Sequence, residues 1–152
     1  MGIRERLEDP EVLRNPEIFK ESVYALAVII DFEQRNKSPD SVELIEEIVN
    51  TNFSRIMSII NDNPDFLGYR TLFFLGRSGK IEAVDFIFEW IRNNPEKAQR
   101  ELYNLASALG KQNLYKKYES QISQHLDDLM RTRDKTLLQT AKNLDKIIRL
   151  RM

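Results

Sequence analysis

Residues 63–96 read NPDFLGYRTLFFLGRSGKIEAVDFIFEWIRNNPE, and their reading decides the fold. The stretch begins on Asn63-Pro64-Asp65, ends on Asn94-Pro95-Glu96, and carries Gly76-Arg77-Ser78-Gly79 in its middle. Asn at an N-cap can accept from an orphan helix N–H, Pro at the first helical position sacrifices no hydrogen bond, and an early acid meets the positive end of the helix dipole. Glycine supplies the left-handed backbone that a helix end requires. The stretch therefore predicts two helices joined by a tight turn. The first is short and dense in Phe66, Leu67, Leu72, Phe73, Phe74 and Leu75. The second, Lys80 to Asn93, carries Ile81, Val84, Ile87, Phe88 and Ile91 on one side and Ala83, Phe86 and Trp90 on another. Two apolar sides ask for two neighbours, and Phe74 and Trp90 mark the centre of the molecule.

The same punctuation recurs outward from this stretch. The other prolines stand in Asp9-Pro10-Glu11, Asn15-Pro16-Glu17 and Ser38-Pro39-Asp40, so every proline follows a small polar residue and precedes an acid. From Pro16, the residues Phe19, Val23, Leu26, Ile29 and Ile30 recur at helical spacing to Arg35, with Tyr24, Ala25, Ala27 and Val28 filling the other sides of a largely buried helix. From Pro39, a stripe of Val42, Ile45, Val49, Phe53, Ile56 and Ile60 leaves Glu43, Glu46 and Glu47 outside on an amphipathic helix. Beyond the stretch, Pro95 begins a helix through Leu102, Tyr103, Leu105, Ala106 and Leu109, which Gly110 closes. Leu114, Tyr118, Ile122, Leu126 and Leu129 then share one face. A break at Arg131-Thr132-Arg133-Asp134 precedes a last helix bearing Leu137, Leu138, Ala141, Leu144, Ile147 and Ile148. No stretch sustains a period of two, so no strand is assigned.

Connections this short place successive helices antiparallel. The expected fold is all-α: a single domain over 1–152, with an N-terminal turn (1–15), three hairpins (16–62, 64–93 and 95–131) and a C-terminal helix (134–151) that caps or dimerises. The hairpins stack as a short right-handed α-solenoid or as an irregular bundle.

A chain of 152 residues can bury roughly two-thirds of its unfolded surface. It has no cysteine, which excludes disulfides, thiolate metal sites and cysteine nucleophiles and suits a cytoplasmic setting. The most apolar run, Val23 to Ile30, is too short to span a membrane. Charge is graded along the chain. Residues 1–50 hold 6 Lys+Arg against 12 Asp+Glu, and residues 111–152 hold 10 against 5. Such a gradient suits solvated helix faces, head-to-tail contact between copies, or an anionic partner for the last helix.

Part of the central hairpin recurs. Tyr69, Leu75-Gly76-Arg77 and Gly79 return as Tyr103, Leu109-Gly110-Lys111 and Asn113 at an offset of 34, and Phe88 falls on Ile122. Periods of this size belong to hairpins that bury each other's apolar sides. At these residues the chain resembles the tetratricopeptide and pentatricopeptide class of helical repeats over residues 64–130. Tyr69-Arg70-Thr71-Leu72 through Gly79-Lys80-Ile81-Glu82-Ala83 is similar to a pentatricopeptide hairpin one residue short, and Asp9-Pro10-Glu11-Val12-Leu13 is similar to the start of a HEAT repeat. Phe88 and Arg92 replace the small residues a tetratricopeptide would carry. The resemblance implies a binding scaffold.

Candidates for chemistry are sparse. The sole histidine, His125, has Gln121 one turn before it and Asp128 three residues after, fewer ligands than the three a catalytic zinc takes. Glu46-Glu47 and Asp127-Asp128 are read as solvated corners. Gly76-Arg77-Ser78-Gly79-Lys80 lacks the spacing and the preceding strand of a phosphate loop. No enzyme, cofactor or metal is therefore expected. The expected function is a protein-interaction module that takes a peptide or partner helix along the first helices of the hairpins, with Tyr69 and Tyr103 as anchors and Arg70, Arg77 and Arg100 as orienting charges. If those tyrosines are buried, they pack between hairpins instead. The alternative is nucleic-acid binding through Arg131, Arg133, Lys135, Lys142, Lys146, Arg149 and Arg151. The C-terminal helix also offers a homodimer contact.

Overall fold

Asn and Ser before proline do two different jobs in the folded chain. The computed structural model describes residues 15–110 and 112–150, so the expected turn before Asn15, the Asp9-Pro10 start signal and Arg151 lie outside the described residues. Asn15 Oδ1 accepts from the N–H groups of Glu17 (3.1 Å) and Ile18 (3.3 Å), and Ser38 Oγ accepts from Ser41 N–H at 3.1 Å, so both cap the helix ahead. Asn63 and Asn94 instead turn back, where Nδ2 donates to Ile59 O at 2.8 Å and to Trp90 O at 3.0 Å. Each is the sole residue between two helical segments. Each therefore gives a last-turn carbonyl of the helix behind it a second donor beside its own backbone N–H.

Every regular element among the described residues is helical. The chain divides into two compact units, Met1–Ser78 and Gly79–Met152, and the division falls in the turn within the second expected hairpin. In the first unit stand α1 (Pro16–Asn36), α2 (Pro39–Asp62), a 3-10 turn (Pro64–Phe66) and α3 (Tyr69–Arg77). The helix read from Pro64 onward begins only at Tyr69. Gly68 costs about 1 kcal/mol in a helix interior, and the Thr71 hydroxyl fixes the break by accepting from Gly68 N–H (3.0 Å) and donating to Phe66 O (3.0 Å).

Helix α1 has α2 on one flank and α3 on the other. It is antiparallel to α2, since the Ser41 hydroxyl reaches back to the Glu33 carboxylate across the turn. It runs in the same direction as α3, since Glu17 meets Arg70 and, four turns on, Asp31 meets Arg77. Phe19, Val23 and Ile30 of α1, Ile56 and Ile60 of α2, and Phe74 and Leu75 of α3 are fully buried. Phe19 packs on Phe66 with ring centres 5.4 Å apart. Burying a side chain of this size contributes about 1.5–3 kcal/mol. The outer face of α1, expected to be largely buried, exposes Val28 and Phe32, the latter to 66%. Flanking helices cover two sides of it and not the third.

The second unit holds α4 (Ile81–Asn93), α5 (Pro95–Arg100), α6 (Leu102–Leu109), a π-helical turn (Gln112–Lys116), α7 (Lys117–Met130) and α8 (Lys135–Leu150). The helix expected from Pro95 to Leu109 bends at Glu101 (φ −96, ψ 14), yet Leu105 N–H still donates to Glu101 O at 2.8 Å across the bend. The break at 131–134 is present. Asp134 Oδ1 caps α8 by accepting from the N–H groups of Thr136 (2.9 Å) and Leu137 (3.0 Å). Gly79 takes the left-handed φ of 68°, and its carbonyl accepts from the Tyr118 hydroxyl (2.8 Å) and the Lys117 ammonium (3.1 Å), which sets α7 beside the start of α4. Val84, Ile87, Phe88, Leu105, Leu109, Ile122 and Leu144 form this unit's core. Trp90 is buried, and its indole N–H has no acceptor among the described residues. No helix among the described residues is long and apolar enough to cross a membrane.

Candidate functional site

A seven-residue spacing on α1 builds the most elaborate surface of the first unit. Glu17, Tyr24 and Asp31 stand two helical turns apart and so share a flank. The facing flank of α3 presents Tyr69 and Arg70, Phe73 and Arg77 at one-turn intervals. Three rungs result. At one end, Arg70 Nη1 lies 3.5 Å from Glu17 Oε2. In the middle, the Tyr24 ring centre is 5.7 Å from Tyr69 and 5.6 Å from Phe73, and Tyr69 is 6.4 Å from Phe73. At the other end, Arg77 Nε donates to Asp31 Oδ1 at 2.8 Å, and Asp31 Oδ2 also takes Arg35 at 2.7 Å.

The two ion-pair rungs differ in kind. Arg77 and Asp31 are 12% and 19% exposed, and the Arg77 guanidinium lies over the Phe73 ring at 4.7 Å. Shielded from water and stacked, that pair is held in place. Gln34 Nε2 also donates to Arg77 O at 3.1 Å, closing the end of α3. Arg70 and Glu17 are far more exposed, where such a pair contributes little to stability. Arg70 is thus the weakly held charge of the site and Arg77 the firmly held one.

Between them the aromatic group is open. Tyr69 is 54% exposed. Its hydroxyl lies 3.4 Å from that of Tyr24, a long and weak hydrogen bond. That hydrogen bond first, and partial burial second, raise Tyr69 above the ordinary tyrosine value. The group has apolar area, an aromatic edge and hydroxyls in one patch, and nothing in it resembles a nucleophile paired with a base.

The remaining expected contacts belong to the second unit. Tyr103 is 68% exposed, and Asn104 beside it donates to Glu101 at 2.8 Å. Arg100 lines an open depression of about 340 Å³ with Asn94, Pro95, Glu96, Asp134 and Thr136. Arg131, Arg133, Lys135, Lys142, Lys146 and Arg149 are all exposed, and Arg149 pairs with Asp145 at 2.9 Å.

His125 bonds to neither Gln121 nor Asp128. Its Nε2 is 2.8 Å from Asp85 Oδ1, its Nδ1 is 3.1 Å from Arg92 Nη2, and its ring stacks on Phe88 with centres 4.5 Å apart. An arginine can only donate, so Nδ1 accepts and the proton sits on Nε2, donated to Asp85. Both nitrogens are committed, and the imidazole joins α7 to α4. Among the described residues no three His, Asp or Glu side chains come together to hold a metal ion.

Three features escaped sequence reading: Tyr24, the Glu17 and Asp31 rungs, and the His125 clamp. The signal for the first two was the seven-residue recurrence on α1, visible only once α3 is known to lie against it. For His125 no local signal exists, since its partners are 33 and 40 residues away. Comparison with protein-family models, with curated proteins and with solved structures finds no match to this chain.

Proposed function

We propose that this chain is a non-catalytic protein-interaction module, a short helical-repeat scaffold that takes a peptide or partner helix against the α1/α3 face of its first unit. The Tyr24–Tyr69–Phe73 group, with Tyr69 exposed and Tyr24 and Phe73 half-buried beside it, carries this reading. Rigid aromatic side chains supply large contact area at low entropic cost and dominate interface energetics. The Arg77–Asp31 pair fixes Phe73 from one side, so the patch is organised before a partner arrives. Arg70 is free to exchange Glu17 for a carboxylate of the partner, because an exposed pair at 3.5 Å is cheaply broken.

The repeat reading is supported by burial. Tyr69–Leu75 and Tyr103–Leu109, offset by 34, show the same succession of exposed, intermediate and buried positions. It is also supported by α1 and α3 running in the same direction, as the first helices of neighbouring hairpins do.

The test is a binding titration with a captured partner or a displayed helical-peptide library, comparing Tyr69→Ala, Arg70→Ala and Tyr103→Ala. Tyr69→Ala is expected to weaken binding by about 2 kcal/mol or more, and Arg70→Ala by less. Unchanged binding in Tyr69→Ala would remove this face from the function. The alternative, nucleic-acid binding through the exposed cations from Arg131 to Arg149, has charge in its favour but no interleaved aromatic to stack a base.

A further inference from the structure

Two rows of charge of opposite sign face solvent on this chain. On α2, Asp40, Glu43 and Glu47 share one side with Glu46 at its edge. All four are exposed, and none forms an ion pair among the described residues. On α8, Lys135, Lys142, Lys146 and Arg149 share the side opposite to the buried Ala141, Leu144 and Ile148. The three lysines form no ion pair among the described residues, and Arg149 holds Asp145. An exposed apolar side chain borders each row: Leu44 (38%) on α2 and Leu150 (77%) on α8.

The helix dipole accounts for part of this. Asp40 at the start of α2 and Arg149 at the end of α8 sit where their charges are favoured. It does not account for Lys135, a cation in the first turn of a helix, nor for Glu47 and Lys142 in mid-helix. The spacings also match. Glu43 and Glu47 are one turn apart, about 6 Å along α2, as are Lys142 and Lys146 along α8. Two helices packed at 8–10 Å can set such pairs opposite each other.

We propose that α8 of one copy docks on α2 of a second copy, with Lys142 and Lys146 opposite Glu43 and Glu47 and Leu150 beside Leu44, which borders Glu47 on α2. The contact joins two different surfaces, so it is head-to-tail and propagates into open chains unless the rotation closes a ring. It is independent of the Tyr24–Tyr69–Phe73 face. A second copy suits the α8 row better than nucleic acid does because the chain itself carries the complementary charge at the same spacing.

The experiment is sedimentation velocity on the full chain from micromolar to millimolar concentration, at about 0.05 M and about 0.5 M salt. Wild type is expected to gain mass with concentration at low salt and to return to monomer at high salt. Lys142→Glu/Lys146→Glu and Glu43→Lys/Glu47→Lys, all at exposed positions and checked for folding by circular dichroism, should each stay monomeric, with association weakened at least about tenfold. Their equimolar mixture should associate again, which only complementary rows explain. Tyr69→Ala should associate as wild type does. A wild type that stays monomeric throughout overturns the proposal, as do variants that associate unchanged or a mixture that fails to reassemble. Binding of a duplex or single-stranded oligonucleotide that Lys142→Glu/Lys146→Glu abolishes, while the protein alone stays monomeric, overturns it in favour of nucleic acid.

Discussion

Tyr69–Leu75 in the first unit and Tyr103–Leu109 in the second are two versions of one pattern, and only one of them builds a site. Both begin on an exposed tyrosine, bury the third and fourth positions, half-expose the fifth and bury the last two. Three of the four buried positions are apolar in both, with Leu72 over Ala106, Phe74 over Ala108 and Leu75 over Leu109, and Thr71 stands over Leu105. The outward positions do not. Phe73 and Arg70 in the first segment are replaced by Ser107 and Asn104 in the second. Tyr69 consequently stands in an aromatic group braced by Arg77, whereas Tyr103 has Asn104 turned toward Glu101. The buried positions set where a helix lies, while the outward ones set what it can hold.

The strongest way to test that the two segments are structurally equivalent is to hollow both. Leu75→Ala and Leu109→Ala each remove a fully buried side chain and should each cost about 2–5 kcal/mol in urea unfolding. A large cost in one and none in the other would break the equivalence.

A smaller effect should separate the segments. Asp31→Ala removes the carboxylate that holds Arg77 over Phe73, and because both groups are largely shielded it should cost about 1–3 kcal/mol. Asp31→Asn should recover part of it. A loss below the error of the measurement would mean that the brace is not what distinguishes the first segment.

Truncating the tyrosines sharpens the contrast. Tyr69→Ala loses two ring contacts and should destabilise by about 1 kcal/mol, whereas Tyr103→Ala should stay within about 0.5 kcal/mol. Equal values would argue against a distinct aromatic group.

The slightest effect is one of titration. The Tyr24 hydrogen bond raises Tyr69, so the folded state holds that proton more tightly than the unfolded chain. The stabilisation is complete below the ordinary tyrosine value of about 10 and is lost as pH rises through the higher folded value. Ultraviolet difference titration should show a late-ionising tyrosine that Tyr24→Phe moves toward the ordinary value. A titration curve unchanged by Tyr24→Phe would remove the hydroxyl pair from the description.

The helices were legible because their signals are local. The Asx-Pro and Ser-Pro starts, Gly79 and the 3.6-residue recurrence of Val23, Ile30, Phe53 and Ile60 each act within a turn or two. The breaks that escaped were also local but ambiguous. Gly68 reads as a tolerable residue inside a helix until the Thr71 hydroxyl is seen to close on it, and the bend at Glu101 has no residue to announce it. Tyr69, Arg70 and Arg77 drew attention as aromatic and cationic residues on a first helix. Glu17, Tyr24 and Asp31 did not, because their meaning depends on α1 lying against a helix more than 40 residues later. The charge gradient was visible as counts and the outward face of Glu43, Glu46 and Glu47 as spacing, and the folded helices add that the lysines of α8 share a face as well.

Asn63 and Asn94 each finish one helix and stand directly before the next, which leaves the chain no slack at either junction. A residue inserted there must be absorbed within a helix, turning everything downstream by about 100° and swinging its oily side toward water. Growth in length is therefore tolerated at the wider turns around Lys37 and Thr132, while these two joints admit change only in whole hairpins.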